Sequence, residues 1–168
     1  YWEDIGTIKA FYEANLDLAS PLPQFNLYDI ERPIYAQPLF LPPSKLESCK
    51  IKDSLISEGC VLNEVEIEAA LMGIRTIVGK GSRIEKSIIM GADYYESPEL
   101  RPKGKPPMGI GENCVIKKAI IDKNACIGND VQIINRKGVE DHTGDGYVIR
   151  DGIVVVEKGT VIPDGTVI

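Results

Sequence analysis

Two lysines occupy the same position relative to a large aliphatic residue. Lys123 follows Ile121 by two residues, and Lys158 follows Val156 by two residues. Lysines in equivalent positions of a repeat could converge on one anion, because each is a flexible point charge. Considered alone, Lys123 is better explained as a solvated corner of the repeat, so the spacing raises the question of an anion site without answering it.

A pair of adjacent carboxylates lies near the beginning of the sequence. Glu3 and Asp4 precede Gly6 and the predicted start of a helix. Adjacent carboxylates can hold Mg²⁺, usually with water and substrate phosphates completing the octahedron. Acidic residues before a helix also interact favourably with its N-terminus. The pattern alone favours this second explanation.

The single histidine, His142, argues against two kinds of site. A carbonic anhydrase built on a hexapeptide repeat needs three histidine ligands for its metal, and a hexapeptide acyltransferase typically uses a histidine as general base. His142 lies in a polar segment without a visible orienting partner, so we expect a solvated loop residue. No G-x-S-x-G, P-loop or Rossmann glycine pattern occurs. The segment "VGKGSR" (78–83) fits a six-residue aliphatic repeat better than a phosphate-binding loop.

The composition is typical of short strands joined by many turns. Hydrophobic residues make up 43% of the sequence and aromatic residues only 7%, with 16 glycines and 11 prolines; this balance favours aliphatic packing and frequent turns. The formal net charge of -6 argues against a nucleic-acid surface. A local lysine cluster could still bind phosphate on an acidic protein.

The cysteines and the hydropathy pattern indicate an intracellular protein. No CxxC pair occurs and the spacing matches no zinc framework, so we expect buried reduced thiols at Cys49, Cys60, Cys114 and Cys126. No run of about 18 apolar residues is present, so no transmembrane helix and no membrane partner are predicted. The sequence has neither an initiating Met nor a signal peptide, and we expect it to be the C-terminal portion of a longer protein.

Residues 1–44 read as a helix followed by a connector. Thr7 is the expected N-cap. The spacing of the apolar residues after it places them on one face of a helix: Ile8, Phe11, Tyr12 and Leu16. The helical segment comprises residues 1–20, and it is ended by the prolines of "SPLP" (20–23). Residues 21–44 form a Pro-rich connector that we expect to be extended and packed against its neighbours.

From residue 45 onward, aliphatic residues recur every five or six positions. The series runs through Leu46, Ile51, Ile56, Leu62, Ile67, Met72, Val78, Ile84 and Ile89, then Ile110, Ile116, Ile121, Ile127 and Ile133, then Val156, Ile162 and Ile168. This period predicts a β-helix of hexapeptide repeats over 45–168. In that repeat class three short strands make a coil of about 18 residues, and coils stack to bury their aliphatic faces. The fold class is therefore mainly β: a left-handed parallel β-helix preceded by one α-helix and the connector.

Two segments interrupt the series. Residues 91–109 and 135–152 are rich in Gly, Pro and charge and lack the rhythm. Both are predicted to be loops extruded from the coil, and loops of this kind often carry functional contacts.

Several long motifs together resemble one family, glucose-1-phosphate adenylyltransferase (ADP-glucose pyrophosphorylase), in its cyanobacterial and plant branch. The first, "YWEDIGTIKAFYEANLDL", resembles the end of that family's catalytic domain. The others resemble consecutive parts of its C-terminal β-helix: "YAQPLFLPPSK", "IIMGADYYE", "IGENCVIKKAIIDKNACIG", "VQIIN" and "IRDGIVVVEKGTVIPDGTVI". The resemblance covers essentially the whole chain, in order.

The resemblance implies an enzyme that makes ADP-glucose and pyrophosphate from ATP and glucose 1-phosphate with Mg²⁺, for starch or glycogen synthesis. It implies a homo- or heterotetramer regulated by anions such as 3-phosphoglycerate and phosphate, in a plastid or in bacterial cytoplasm. Asp4, with Glu3 beside it, matches the residue that binds the metal and the sugar phosphate. The ATP site would lie outside this chain, which by itself is predicted to be inactive.

The resemblance also assigns an effector site. Lys123 and Lys158 match the family's effector-binding lysines, and Gln37 matches a polar residue of the neighbouring anion pocket. Leu39 stands where the family usually has Arg, which removes a bidentate phosphate ligand. Cys126 also replaces a common Arg, so the response to effectors is open, and Glu157 could pair with a nearby lysine and weaken anion binding.

Two other functions are considered beside the regulatory portion of this enzyme. The first is a non-catalytic regulatory or scaffold subunit of such a tetramer, which the departure at Leu39 would fit. The second and more distant one is a hexapeptide acyltransferase, which would require a productive His142.

Overall fold

A computed structural model describes residues 2–168 of the chain, with Tyr1 outside the described residues. Within this range the structure contains one α-helix, α1 (Ile8–Asp17), one 3₁₀ turn (Pro98–Leu100) and eighteen short strands. None of the described helices has the length and apolar character needed to cross a membrane. In chain order the strands are β1 (Lys45–Glu47), β2 (Lys50–Lys52), β3 (Leu55–Ile56), β4 (Val61–Asn63), β5 (Glu66–Glu68), β6 (Leu71–Met72), β7 (Ile77–Val78), β8 (Arg83–Glu85), β9 (Ile88–Ile89), β10 (Gly109–Ile110), β11 (Val115–Lys117), β12 (Ala119–Ile121), β13 (Cys126–Ile127), β14 (Gln132–Ile133), β15 (His142–Thr143), β16 (Tyr147–Arg150), β17 (Ile153–Val156) and β18 (Val161–Ile162).

The strands form three sheets, and the chain visits them in rotation. The first sheet has the order β1-β4-β7-β10-β13-β18, the second β2-β5-β8-β11-β14, and the third β3-β6-β9-β12-β17-β16-β15. All pairings are parallel except those of β15 with β16 and of β16 with β17. Three strands therefore make one coil, and the coils stack into a parallel β-helix, as the repeat predicted.

The aliphatic series stacks in register along each sheet. In the first sheet Leu62, Val78 and Ile110 pair in turn, and in the third sheet Ile89 pairs with Ile121, which pairs with Val156. Almost every member of the series lies in one buried cluster along the axis. The prediction of inward-facing aliphatic residues is confirmed. Coils are slightly shorter than predicted, with sixteen residues from Leu46 to its partner Leu62, because several steps have five residues.

The first coil is the exception to this burial. Leu46 and Ile51 hold the same positions as buried residues in later coils, yet 48% and 37% of their surface is exposed. A coil buries its aliphatic face only where a neighbour stacks on it. These two residues lie in the end coil, which has such a neighbour on one side only.

The corners between strands use the left-handed backbone region. Asn113, Asn124 and Asp130 have φ angles of 54°, 62° and 56°. Asn and Asp enter this region more readily than other residues with a side chain. The frequent turn residues of the repeat are therefore explained by the sharp change in direction at each corner.

The first interruption, residues 91–109, is a loop that is tied back to the coils. The Tyr95 hydroxyl donates a hydrogen bond of 2.8 Å to the Gly59 carbonyl, and the Glu96 carboxylate accepts the Met108 amide at 3.1 Å. Met108 and Cys126 lie in a small buried cluster beneath this loop. The loop, which joins β9 to β10, therefore packs over the corner between the third and first sheets.

The second interruption is more regular than predicted. Residues 142–150 contain β15 and β16, which extend the third sheet through an antiparallel hairpin onto β17. Asp151 and Gly152, with φ angles of 53° and 68°, make the two-residue turn between β16 and β17. An Asp-Gly pair between two apolar runs is a strong hairpin signal, so this part of the loop prediction was wrong for a reason visible in the sequence.

Helix α1 packs on the outer face of the third sheet. The Thr7 hydroxyl accepts a hydrogen bond of 3.1 Å from the Ala10 amide, which confirms the predicted N-cap. Tyr12 is buried against Ile88, Ile120 and Ile153, with the other predicted face residues around it. Burial raises the pKa of Tyr12 to about 12, with a smaller contribution from Glu13. The phenol is therefore protonated and donates to the Lys86 carbonyl.

The connector is extended but largely uncovered. Among residues 2–168 nothing covers the side chains of Leu22, Tyr28, Ile30, Tyr35 and Phe40, which are each at least 80% exposed. Within residues 2–168 these side chains find no covering surface, so packing of this segment against neighbours remains a prediction. Apolar composition shows that a segment can pack, but a complementary surface must also lie within reach.

Candidate functional site

The structure brings Lys123 and Lys158 together at one corner of the β-helix. Lys123 follows β12 and Lys158 follows β17, and these two strands are neighbours in the third sheet with Ile121 paired to Val156. The Gly159 amide donates a 2.9 Å hydrogen bond to the Lys123 carbonyl, so the two corners are also joined through the main chain. The shared position in the repeat therefore corresponds to adjacency in space.

Both ammonium groups converge on the carboxylate of Asp93. Lys123 Nζ lies 2.9 Å from Asp93 Oδ1, and Lys158 Nζ lies 2.8 Å from Asp93 Oδ2. Each carboxylate oxygen thus accepts from a different lysine. The two lysines predicted to bind an anion are therefore both paired with a carboxylate of the protein itself, that of Asp93.

Asn124 holds Asp93 in place. Its side-chain nitrogen donates to Asp93 Oδ2 at 3.0 Å, and its side-chain oxygen accepts the Asp93 amide at 2.8 Å. The Asn124 amide in turn donates to the Gly91 carbonyl at 3.1 Å. Asp93 is therefore positioned through both its main chain and its side chain at the start of the 91–109 loop.

The cluster remains open to solvent. The side chains of Asp93 and Lys123 are each 36% exposed, and that of Lys158 is 57% exposed. Hydrogen bonds from Lys158, Lys123 and Asn124 hold the pKa of the Asp93 carboxyl well below its ordinary value. The same contact with Asp93 raises the pKa of Lys158. Asp93 and Lys158 are therefore both charged near neutral pH, and the cluster is accessible to a small ion.

We expect Asp93 to titrate at a more acidic pH than an ordinary aspartate, whose pKa is about 3.9. Because the folded pKa is lowered, the stabilisation is fully present above the unfolded pKa and is lost as the pH falls through the folded pKa. A carbon-13 NMR titration of the Asp93 carboxyl measures this directly. In a Lys123→Ala, Lys158→Ala double variant the pKa should rise towards the ordinary value. An unchanged, ordinary pKa in the wild-type chain would contradict the contact.

The other members of the expected effector site lie elsewhere. Gln37 lies in the exposed connector and makes no hydrogen bond to Lys123 or Lys158 within residues 2–168. Leu39, which stands in place of the expected Arg, is 52% exposed in the same segment. The structure therefore groups the two lysines with Asp93 and Asn124, and leaves Gln37 outside this group.

Cys126, the second departure from the family pattern, is a packing residue. It is fully buried between Ala92 and Met108, beneath the loop that begins near Asp93. Burial raises the pKa of its thiol, so the thiolate is disfavoured. The prediction of buried reduced cysteines is confirmed for Cys60, Cys114 and Cys126, while Cys49 is half-buried.

The acidic pair near the N-terminus does not form a metal cluster on the described residues. Asp4 is exposed, and its carboxylate accepts the Gly6 amide at 2.9 Å. No group of three His, Cys, Asp or Glu within residues 2–168 is arranged to hold a metal ion. Asp4 therefore supplies one carboxylate, and an ion at this position would need ligands from substrate, water or another part of the protein.

His142 is exposed as predicted, whereas Glu157 does not form the predicted pairing with a lysine. The imidazole lies on β15 rather than in a loop, with its ring 5.9 Å from that of Tyr147, and it makes no contact with the Lys123, Lys158 and Asp93 cluster among residues 2–168. Glu157 is also exposed and forms no ion pair there; the carboxylate that pairs with the lysines is Asp93. An acidic residue does pair with the lysines, as predicted, but it is Asp93 and not Glu157.

Asp93 is the site residue that the sequence reasoning missed. Its signal lay in the repeat itself, because Ile89 pairs with Ile121 in the third sheet and Asp93 follows Ile89 closely. Counting strands in threes along the aliphatic series would have placed Asp93 beside the corner that carries Lys123.

A family comparison covers most of the chain. Residues 39–167 match the family described as the GLGC left-handed parallel beta-helix domain. The matched region begins in the connector and includes every strand and the whole lysine cluster. The match and the strand order together confirm the predicted left-handed parallel β-helix.

Proposed function

Because this chain belongs to the GLGC family, whose left-handed β-helix is the C-terminal part of glucose-1-phosphate adenylyltransferase, we propose that it is the regulatory and oligomerisation portion of such an enzyme. The family is one of nucleotidyltransferases. The reaction proposed for the complete protein forms ADP-glucose and pyrophosphate from ATP and glucose 1-phosphate, for starch or glycogen synthesis. This chain would contribute effector binding and subunit contacts.

The observation that carries the proposal is the convergence of Lys123 and Lys158. Two ammonium groups lie within hydrogen-bond distance of one carboxylate at a solvent-accessible corner. A phosphate or phosphorylated acid such as 3-phosphoglycerate offers the same kind of oxygen ligand with more charge. Binding there would bias the enzyme between active and inactive arrangements, provided the two arrangements bind the anion with different affinity.

Mg²⁺ and the substrates would be bound mainly outside this chain. Asp4 is one exposed carboxylate, and the described residues provide no cluster that could complete a metal site. We therefore assign Asp4 and Glu3 only a contributing role beside a bound metal and sugar phosphate. On this proposal the chain by itself has no adenylyltransferase activity.

We expect removal of either lysine to weaken binding of inorganic phosphate and 3-phosphoglycerate by on the order of tenfold, and removal of both to weaken it further, because each contributes a charge-assisted hydrogen bond. Calorimetric titration of the chain carrying Lys123→Ala or Lys158→Ala measures the effect. Activation of the complete enzyme by 3-phosphoglycerate should fall in parallel.

Lys80→Ala is the matched control for this experiment. Lys80 follows Val78 by two residues, as Lys123 follows Ile121, and it pairs with Glu64 at 3.0 Å on a different sheet. Its removal should leave anion binding within about twofold of wild type. If the Lys123 and Lys158 variants are activated by 3-phosphoglycerate as well as the wild type is, the site assignment is wrong.

The alternative is a non-catalytic subunit whose β-helix serves assembly. The exposed Leu39 in place of an expected Arg favours it, because a guanidinium that could bind phosphate is missing there. The complete subunit, expressed without a partner subunit, separates the two functions by whether it forms ADP-glucose.

A further inference from the structure

We propose that Asp93 is an internal competitor for the anion site: a ligand binds Lys123 and Lys158 by replacing the Asp93 carboxylate, and this exchange makes the site selective for dianions. The inference rests on the proposed anion site and names the residue that sets its affinity and charge requirement. It follows from the position of Asp93 between the two ammonium groups.

The first step of the argument is geometric. An anion that bridges both lysines must lie where the two Nζ atoms converge, and the Asp93 oxygens occupy that point at 2.9 and 2.8 Å. A ligand that takes this bridging position between the two Nζ atoms therefore displaces the Asp93 carboxylate. Asp93 can release them by rotating its exposed side chain, which also gives up the hydrogen bond from Asn124 Nδ2, while its main-chain amide stays bound to Asn124.

The second step concerns charge. The Asp93 carboxylate carries one negative charge, so a monovalent anion that replaces it gains no electrostatic attraction to the lysines. A dianion gains one additional charge beside two ammonium groups, and the resulting attraction favours exchange. Asp122 also lies nearby, but its carboxylate accepts the main-chain amide of Lys123 and does not bridge the two lysines. The bridging position is thus held by Asp93 and not by Asp122.

The third step concerns affinity. Each solvent-exposed ion pair contributes modestly, so releasing two of them reduces ligand binding by a factor of about two to thirty. Asp93→Asn removes the competing charge while keeping the size of the side chain. We expect this variant to bind inorganic sulfate and phosphate about twofold to thirtyfold more tightly than the wild-type chain. It should also bind acetate and nitrate measurably, because its lysines have no internal counter-ion.

Calorimetric titrations of the full chain with sulfate, phosphate, acetate and nitrate test the inference. Glu157→Gln is the matched control: it removes one negative charge next to Lys158, from an exposed side chain without an ion pair among residues 2–168. We expect it to change sulfate affinity by less than about twofold, since an exposed charge that forms no ion pair with the lysines is largely screened by water and salt. A general effect of net charge would instead appear equally in both variants and would overturn the proposal.

A second measurement does not depend on the folding of any variant. In the wild-type chain, the carboxyl carbon resonance of Asp93 should shift with saturation as sulfate is added, and its pKa should rise when the lysines are taken by the ligand. A resonance that is unaffected at saturating sulfate would show that the ligand does not replace Asp93 and would overturn the inference.

The outcomes separate this inference from the proposed function. If Asp93→Asn binds sulfate no more tightly than wild type, while the Lys123→Ala, Lys158→Ala double variant loses binding, the anion site stands and the competitor role is wrong. If neither the wild type nor Asp93→Asn binds any of the four anions, the anion site and the competitor role both fail. If Asp93→Asn binds sulfate although the wild type binds too weakly to measure, the competitor role is supported.

Discussion

Replacing Ile127 with alanine is expected to lower the free energy of unfolding by about 2–5 kcal/mol, because it removes buried aliphatic volume that neighbouring coils cannot refill. Ile127 is fully buried and pairs with Ile110 on one side and Ile162 on the other. A cavity there would interrupt the stack in the middle of the β-helix. Chemical denaturation followed by circular dichroism measures the loss.

Leu46→Ala is the matched control for that substitution. Leu46 has the same place in the first sheet as Ile127 but lies in the end coil, where 48% of its surface is exposed. We expect it to cost less than about 1 kcal/mol, because much of its apolar surface remains in water. Equal losses at Leu46 and Ile127 would contradict the conclusion that stacking between coils, and not the residue type, creates the stability.

Replacing Gly111 with alanine is expected to destabilise the protein by about 1–3 kcal/mol through overpacking between coils. A Cβ atom on Gly111 would lie 2.5 Å from the carbonyl oxygen and 2.6 Å from the carbonyl carbon of Gly128 in the next coil. Backbone atoms cannot rotate away, so the coils must separate. Such separation would also strain the 2.9 Å hydrogen bond from the Gly111 amide to the Ile127 carbonyl. The shift in denaturation midpoint relative to wild type measures the effect.

Gly6→Ala controls for the glycine-to-alanine change itself. Its Cβ would meet only the Asp4 carboxylate, at 3.1 Å, and this exposed side chain can shift by a few tenths of an ångström although it accepts the Gly6 amide. We expect a change in stability within about 0.5 kcal/mol. Similar losses at Gly6 and Gly111 would show that close approach of the coils does not explain why glycine is needed at position 111.

The inward position of the aliphatic series could be predicted from the sequence because it is set by local spacing. Three strands per coil and a step of five or six residues place each aliphatic residue directly above its equivalent in the preceding coil, as in the pairing of Ile67 with Ile84 and of Ile84 with Ile116. The helix and its Thr7 cap were readable for the same reason. The hairpin at Asp151 and Gly152 was equally local, and its signal was overlooked.

The burial of the connector's apolar side chains could not be predicted in the same way. Its apolar residues predicted packing, yet Tyr35 and Phe40 are 94% and 92% exposed. Whether a side chain is covered depends on surfaces that come from distant parts of a chain or from other molecules. The division of the chain at residues 20 and 44 into separate units likewise remains a prediction.

The sequence by itself determined the architecture, the inward residues and the outward position that Lys80, Lys123 and Lys158 share. Only the tertiary structure decided which of these lysines form a site. Lys80 follows a strand of the first sheet and pairs with Glu64, whereas Lys123 and Lys158 follow neighbouring strands of the third sheet and meet at Asp93. The physical reason is that the repeat fixes a residue's place within one coil, while contact between charges depends on which corners stack and which loop reaches them.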